Sequence, residues 1–118
     1  MKSQVSYKTW VEVSKHAILH NFQAAQKHAG KDVSVVAIVK SNAYGHGLLE
    51  VVKLLTTYNL QLTTGIWFGV DNIDEALALK KARIKNPILI LGYIPKPRLV
   101  EAIKHGFRFA LYDADVLK

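Results

Sequence analysis

Apolar and polar positions change their spacing several times along the chain, and each change predicts an element. Residues 8–14 hold Thr9, Trp10, Val11 and Val13, a β-branched and aromatic run that predicts a short strand. Ile18, Phe22, Ala25 and Ala29 then recur at helical spacing, and Gly30 stands where a C-terminal cap belongs. Residues 33–39 are almost wholly apolar and β-branched, as in a parallel strand buried on both faces. After a loop over residues 41–47, Leu48, Val51, Val52 and Leu55 form one helical stripe.

A polar connection over residues 56–64 leads to a second buried strand at 66–70. Asn72 is placed to cap a helix running to about Arg83, with Glu75 three residues on to complete a capping box. Asn86 and Pro87 mark a turn before a third apolar strand at 88–92. Pro97 suits the first turn of a further helix carrying Leu99, Val100 and Ile103, and Gly106 is placed to end it. Residues 107–112 supply a fourth strand, and Asp113 is positioned to cap a helix beginning there.

Strand and helix therefore alternate, with strand starts near residues 33, 66, 87 and 107. Consecutive units of this kind imply an α/β fold: about four parallel strands with right-handed helical crossovers, preceded by the N-terminal strand and helix. The short repeat of the later units favours barrel-type repetition, although an open doubly wound sheet would use the same elements. No internal repeat, low-complexity segment or interdomain linker interrupts the pattern.

Composition narrows the classes. At 118 residues, half of them apolar, the chain suits one domain and has enough apolar residues for a core. It is too short to close a full (β/α)₈ barrel, which takes roughly 250 residues. Without cysteine there is neither a disulfide framework nor a thiolate zinc site. No apolar run approaches the length of a signal peptide or a membrane span, so a cytoplasmic protein with no membrane partner is the expectation. The net charge of +7 invites a nucleic-acid reading, but Lys and Arg are scattered from Lys2 to Lys118. The densest group, Lys80, Lys81, Arg83 and Lys85, falls at a helix end, where cations complement the dipole; no nucleic-acid partner is expected.

The chemistry concentrates after the first buried strand. A lysine at a strand end often does no more than reach water, but Lys40 is succeeded by Tyr44 and His46 among two glycines, Gly45 and Gly47. An amine, a phenol and an imidazole thus gather at the strand end where α/β folds place their sites. Gly45 and Gly47 read as turn and helix-entry residues, and His46 as a residue that bonds its own loop. His16 and His20 stand four apart on a helix, yet no carboxylate cluster or cysteine joins them, so no metal site is expected. Trp10, Trp67 and Phe68 read as core. Gly65 and Gly69 bracket a strand and do not form a phosphate loop.

The run Val39-Lys40-Ser41-Asn42-Ala43-Tyr44-Gly45-His46-Gly47 resembles the pyridoxal phosphate attachment motif of the bacterial alanine racemases, with Ser41 in place of the commoner Ala. The resemblance extends to Thr9, Trp10, Val11, Glu12 and Val13, to Leu19, His20 and Asn21, to Asp74, Glu75, Ala76 and Leu77, and to residues 87–92. The connection over residues 56–65 is several residues longer than that family's usual one.

The resemblance implies that the chain, residues 1–118, is the N-terminal portion of a pyridoxal 5'-phosphate-binding (β/α)₈ barrel domain, without the remaining barrel units and the β-rich C-terminal domain. It implies that Lys40 holds pyridoxal 5'-phosphate covalently and moves the Cα proton on one face of the substrate. It further implies that Tyr44 hydrogen-bonds the cofactor phosphate and that Ile38 and Leu91 pack near the ring. The activity implied is interconversion of L-alanine and D-alanine, supplying D-alanine for peptidoglycan, in a homodimer whose partner subunit gives the second base. The 118 residues by themselves are expected to be inactive. Alternatives are a non-catalytic pyridoxal phosphate-binding protein, a truncated relic, or a racemase acting on serine or a broader range of amino acids.

Overall fold

The computed structural model describes residues 6–58 and 65–118. Helix α1 (Lys15–Ala29) leads into strand β1 (Val36–Ile38), a one-turn helical segment α2 (Lys40–Tyr44) and helix α3 (Leu48–Tyr58). Strand β2 (Trp67–Val70), helix α4 (Ile73–Lys81), strand β3 (Ile88–Ile90), helix α5 (Leu99–Lys104) and strand β4 (Arg108–Phe109) come next. Short 3₁₀ turns cover Lys96–Arg98 and Ala114–Val116.

All the strand pairs are parallel, and the sheet order β1-β2-β3-β4 is the chain order. Each connection therefore crosses over to the next neighbour and never doubles back, which is the arrangement of consecutive barrel units and not of a doubly wound sheet. The register places Phe68 opposite Ile88 and Val70 opposite Ile90. Alternation puts these four side chains on one face, where none is more than 3% exposed. Helix α4 packs against β2 and β3 with Ile73, Ala76 and Leu79 buried, and α3 contributes Val51, Val52, Leu54 and Leu55. Burial of each large aliphatic or aromatic side chain here is worth about 1.5–3 kcal/mol, and this layer is the core.

The other face is open among the described residues. Trp67 and Leu89 are half-buried there, Ile38 and Leu91 are each 41% exposed, and the Arg108 guanidinium lies 5.0 Å from the centroid of the Trp67 ring. The apolar run at 33–39 is thus covered on one side, not two: its strand is confined to Val36–Ile38, with Ile38 facing out. Trp67 belongs to this open face and Phe68 to the core.

Several local expectations change in the structure. Residues 8–14 form no strand, because no described strand runs alongside them, and Trp10 is 69% exposed with its Nε1 donating to Glu12. In α5 the buried residue is Ala102, while Val100 and Ile103 face outward; the 3₁₀ turn at Pro97 sets the phase so that Leu99 and Ala102 meet the sheet. Residues 59–64, most of the polar connection, lie outside the described residues. The caps expected at Gly30, Asn72, Gly106 and Asp113 are all in place.

Candidate functional site

The site is built at the C-terminal ends of the strands. The ladder continues one residue past β1 and β3: the Val39 N–H donates to Gly69 O at 2.8 Å, and the Leu91 N–H to Val70 O at 2.8 Å. Register sets both Ile38 and Leu89 opposite Gly69, so Ile38 and Leu91 flank that glycine on the open face. A Cβ on Gly69 would lie 2.6 Å from the Ile38 Cδ1 and 3.5 Å from the Leu91 Cδ1. The missing side chain lets these two residues close over the backbone as a small apolar platform. Beyond it, Gly92 donates its N–H to Asp71 O at 2.8 Å, and a side chain at Gly92 would collide with that carbonyl.

Lys40 comes directly after Val39 and is half-buried. Among the described residues its amine makes no hydrogen bond and no ion pair.

Residues 41–44, next in the chain, are not an irregular loop but one turn of left-handed helix. Ser41, Asn42, Ala43 and Tyr44 have φ of 52°, 55°, 51° and 54°. For L-residues that hand costs roughly 1–2 kcal/mol each, so the turn persists only because its surroundings hold it. Asn42 Oδ1 accepts from the Leu48 N–H at 2.8 Å, which also caps α3. The Gly45 N–H donates to the carbonyls of Ser41 and Asn42, and the Gly47 N–H donates to Asn42 O at 3.0 Å. His46 Nδ1 contacts Ala43 O at 2.8 Å, which assigns the proton to that nitrogen and makes His46 the loop-bonding residue expected. Gly45 and Gly47, at φ of 89° and 98°, complete the reversal. Ala43 is buried, whereas Tyr44 is 61% exposed.

Sequence spacing missed one participant. Asn72 caps α4 as expected, its Oδ1 accepting from the Glu75 N–H at 2.9 Å, but Glu75 does not reciprocate. Its Oε1 accepts instead from the Ser41 N–H at 3.3 Å, across to the left-handed turn. A capping-box pattern in the sequence cannot distinguish these two uses of one carboxylate.

Ile38, Lys40, Tyr44 and Leu91 are thus all placed at the strand ends or in the turn after β1. His16 and His20 are exposed, with ring centroids 6.3 Å apart, and among the described residues no three His, Asp or Glu gather to hold a metal. No described helix is long and apolar enough to cross a membrane.

Residues 13–118 match the family described as alanine racemase, N-terminal domain. Alanine racemase 1 of Caldanaerobacter subterraneus subsp. tengcongensis is 41% identical over 110 residues, which is 93% of this chain and 27% of that protein. The alanine racemase of Fusobacterium nucleatum is 38% identical over 104 residues, 88% of this chain and 28% of its own length. Among solved structures, alanine racemase from Bacillus anthracis with bound L-Ala-P superposes with a TM-score of 0.83 at 31% identity, over 98% of this chain and 28% of that one. Alanine racemase from Oenococcus oeni gives 0.75 at 34% identity, over 90% and 29%. The chain therefore spans less than a third of the length of each of these relatives.

Proposed function

Since the chain belongs to the alanine racemase family through that family's N-terminal domain, we propose that residues 1–118 are the N-terminal portion of the pyridoxal 5'-phosphate-binding barrel domain of an alanine racemase. The whole enzyme would interconvert L-alanine and D-alanine for peptidoglycan, in the cytoplasm and as a homodimer. The observation that carries this reading is Lys40 itself, half-buried as a residue, without a hydrogen-bond or ion-pair partner for its amine among the described residues, and lying in the chain between Ile38 of the apolar platform and the left-handed turn.

The residues present fit pyridoxal 5'-phosphate. Lys40 offers a primary amine with no competing partner, Ile38 and Leu91 offer apolar surface on the open face, and Tyr44 offers an exposed phenol. When bound, that cofactor supplies an electron-withdrawing ring that stabilises the charge left on a substrate's Cα when its proton departs. The chain's own residues do the rest. Lys40 attaches through its amine nitrogen and, once released, takes or returns the Cα proton on one face. Ile38 and Leu91 would pack against the ring and exclude water there, and the Tyr44 hydroxyl would donate to the phosphate. The base on the opposite face comes from the partner subunit, so the 118 residues alone lack racemase activity.

Borohydride trapping tests this reading. The chain is incubated with pyridoxal 5'-phosphate, reduced and peptide-mapped. Label is expected to concentrate on Lys40 among the thirteen lysines, and Lys40→Ala should remove it. Label spread evenly over the lysines, or turnover of L-alanine by the 118 residues, would contradict the proposal.

A further inference from the structure

The local hydrogen bonds of the left-handed turn define its shape but not its location. Its backbone and side-chain bonds at Ala43, Asn42, Gly45, His46 and Gly47 all close within residues 39–48. Among the described residues, one hydrogen bond ties residues 41–44 to a different βα unit: the Ser41 N–H donating to Glu75 Oε1. Ser41 is the first left-handed residue after Lys40, so this bond fixes the point where the chain turns away from β1.

The carboxylate that makes it is held at some cost to itself. Glu75 sits in the first turn of α4, where an acidic side chain ordinarily folds back onto its own helix cap. Here Asn72 already serves that cap, and the Glu75 side chain extends away from it. The second oxygen, Oε2, is buried and has no hydrogen-bond partner among the described residues. A buried acceptor without a protein partner is unfavourable, so this placement of the side chain is not set by the helix cap.

We propose that Glu75 is a positioning residue for the lysine site: by accepting from the Ser41 N–H it fixes the left-handed turn against the second βα unit, and so sets where Tyr44 stands relative to the Lys40 amine. It acts by the reach of its side chain, not by its charge. This rests on the assignment of Lys40 as the pyridoxal phosphate attachment residue.

The test measures how fast, and how selectively, Lys40 is modified in the 118-residue chain. Amine and aldehyde join as a C=N bond with loss of one water, and borohydride supplies the hydride that fixes the product as a secondary amine. Glu75→Gln keeps both the length and an acceptor oxygen; Glu75→Asp keeps the charge but is one methylene short; Glu75→Ala keeps neither. The Gln variant should label Lys40 within about twofold of wild type, while Asp and Ala should lose at least about fivefold in preference for Lys40 over the other lysines, the change expected for one net hydrogen bond.

Wild-type labelling of Lys40 with unchanged Asp and Ala variants overturns the role of Glu75 and leaves the attachment site standing. A Gln variant that falls as far as Asp also overturns it, because charge would then be the cause. Absence of any Lys40 preference in wild type overturns both readings together. If the Ala variant fails to fold by circular dichroism, the Asp and Gln pair alone decides.

Discussion

Ser41→Gly, in the heart of the lysine motif, is expected to stabilise the protein. Ser41 is exposed, its side chain makes no described contact, and its backbone sits at φ 52°, ψ 52°. Glycine occupies that region without the steric conflict that costs an L-residue roughly 1–2 kcal/mol. Against this gain stands the greater freedom of glycine in the unfolded chain, about 0.5–1 kcal/mol. The Ser41 N–H that donates to Glu75 is kept by either residue. The balance is a stabilisation of about 0.5–1 kcal/mol, a rise in Tm of a few degrees for a domain of this size. Ser41→Val provides the opposite sign, since a β-branched side chain is poorly tolerated at positive φ. Urea unfolding of wild type, Gly and Val variants, monitored by far-ultraviolet circular dichroism, yields the order Gly above Ser above Val. Were residue 41 extended or right-handed, glycine would destabilise and valine would be close to neutral, and that reversed order would refute the left-handed turn.

Two further substitutions probe the frame around the site. Gly92→Ala drives a methyl group into the Asp71 carbonyl, a backbone atom that cannot rotate away; a loss of about 1–3 kcal/mol in urea unfolding is expected. Asn42→Ala removes the acceptor for the Leu48 N–H and the side chain best suited to positive φ. It should cost about 1–2 kcal/mol of stability and weaken Lys40 labelling, both measurable on the same sample.

The sequence made some features readable and hid others for physical reasons. Alternating apolar runs located the four strands, because burial on the helix side demands Phe68, Val70, Ile88 and Ile90 whatever lies opposite. The same runs could not reveal that Ile38 and Leu91 face an open side, since an apolar residue that lines a site looks like one that fills a core. Lys40 and Tyr44 stand out through the motif they share with a known family, and the structure places both directly after β1. The hand of the turn between them was not readable: Asn42 tolerates positive φ, but Ser41, Ala43 and Tyr44 carry no such signature. Residues 8–14 show the converse, a strand-like composition with no partner to pair with among the described residues. Glu75 showed as a helix-cap residue because capping is a local pattern, and its actual partner is a tertiary one.

The hydrogen bond from Ser41 to Glu75 spans 34 positions of sequence, so it can form only in a chain that already includes the start of α4. The carboxylate is brought to its place by the pairing of β2 with β1 and by α4 behind them. Until then residues 41–44 have their bonds to Val39 and to Leu48 of α3 but lack the tie to the second βα unit. During synthesis the turn therefore acquires this tie only once the chain has grown through α4. The placement of the turn is thus completed by tertiary structure and is not a property of the motif alone.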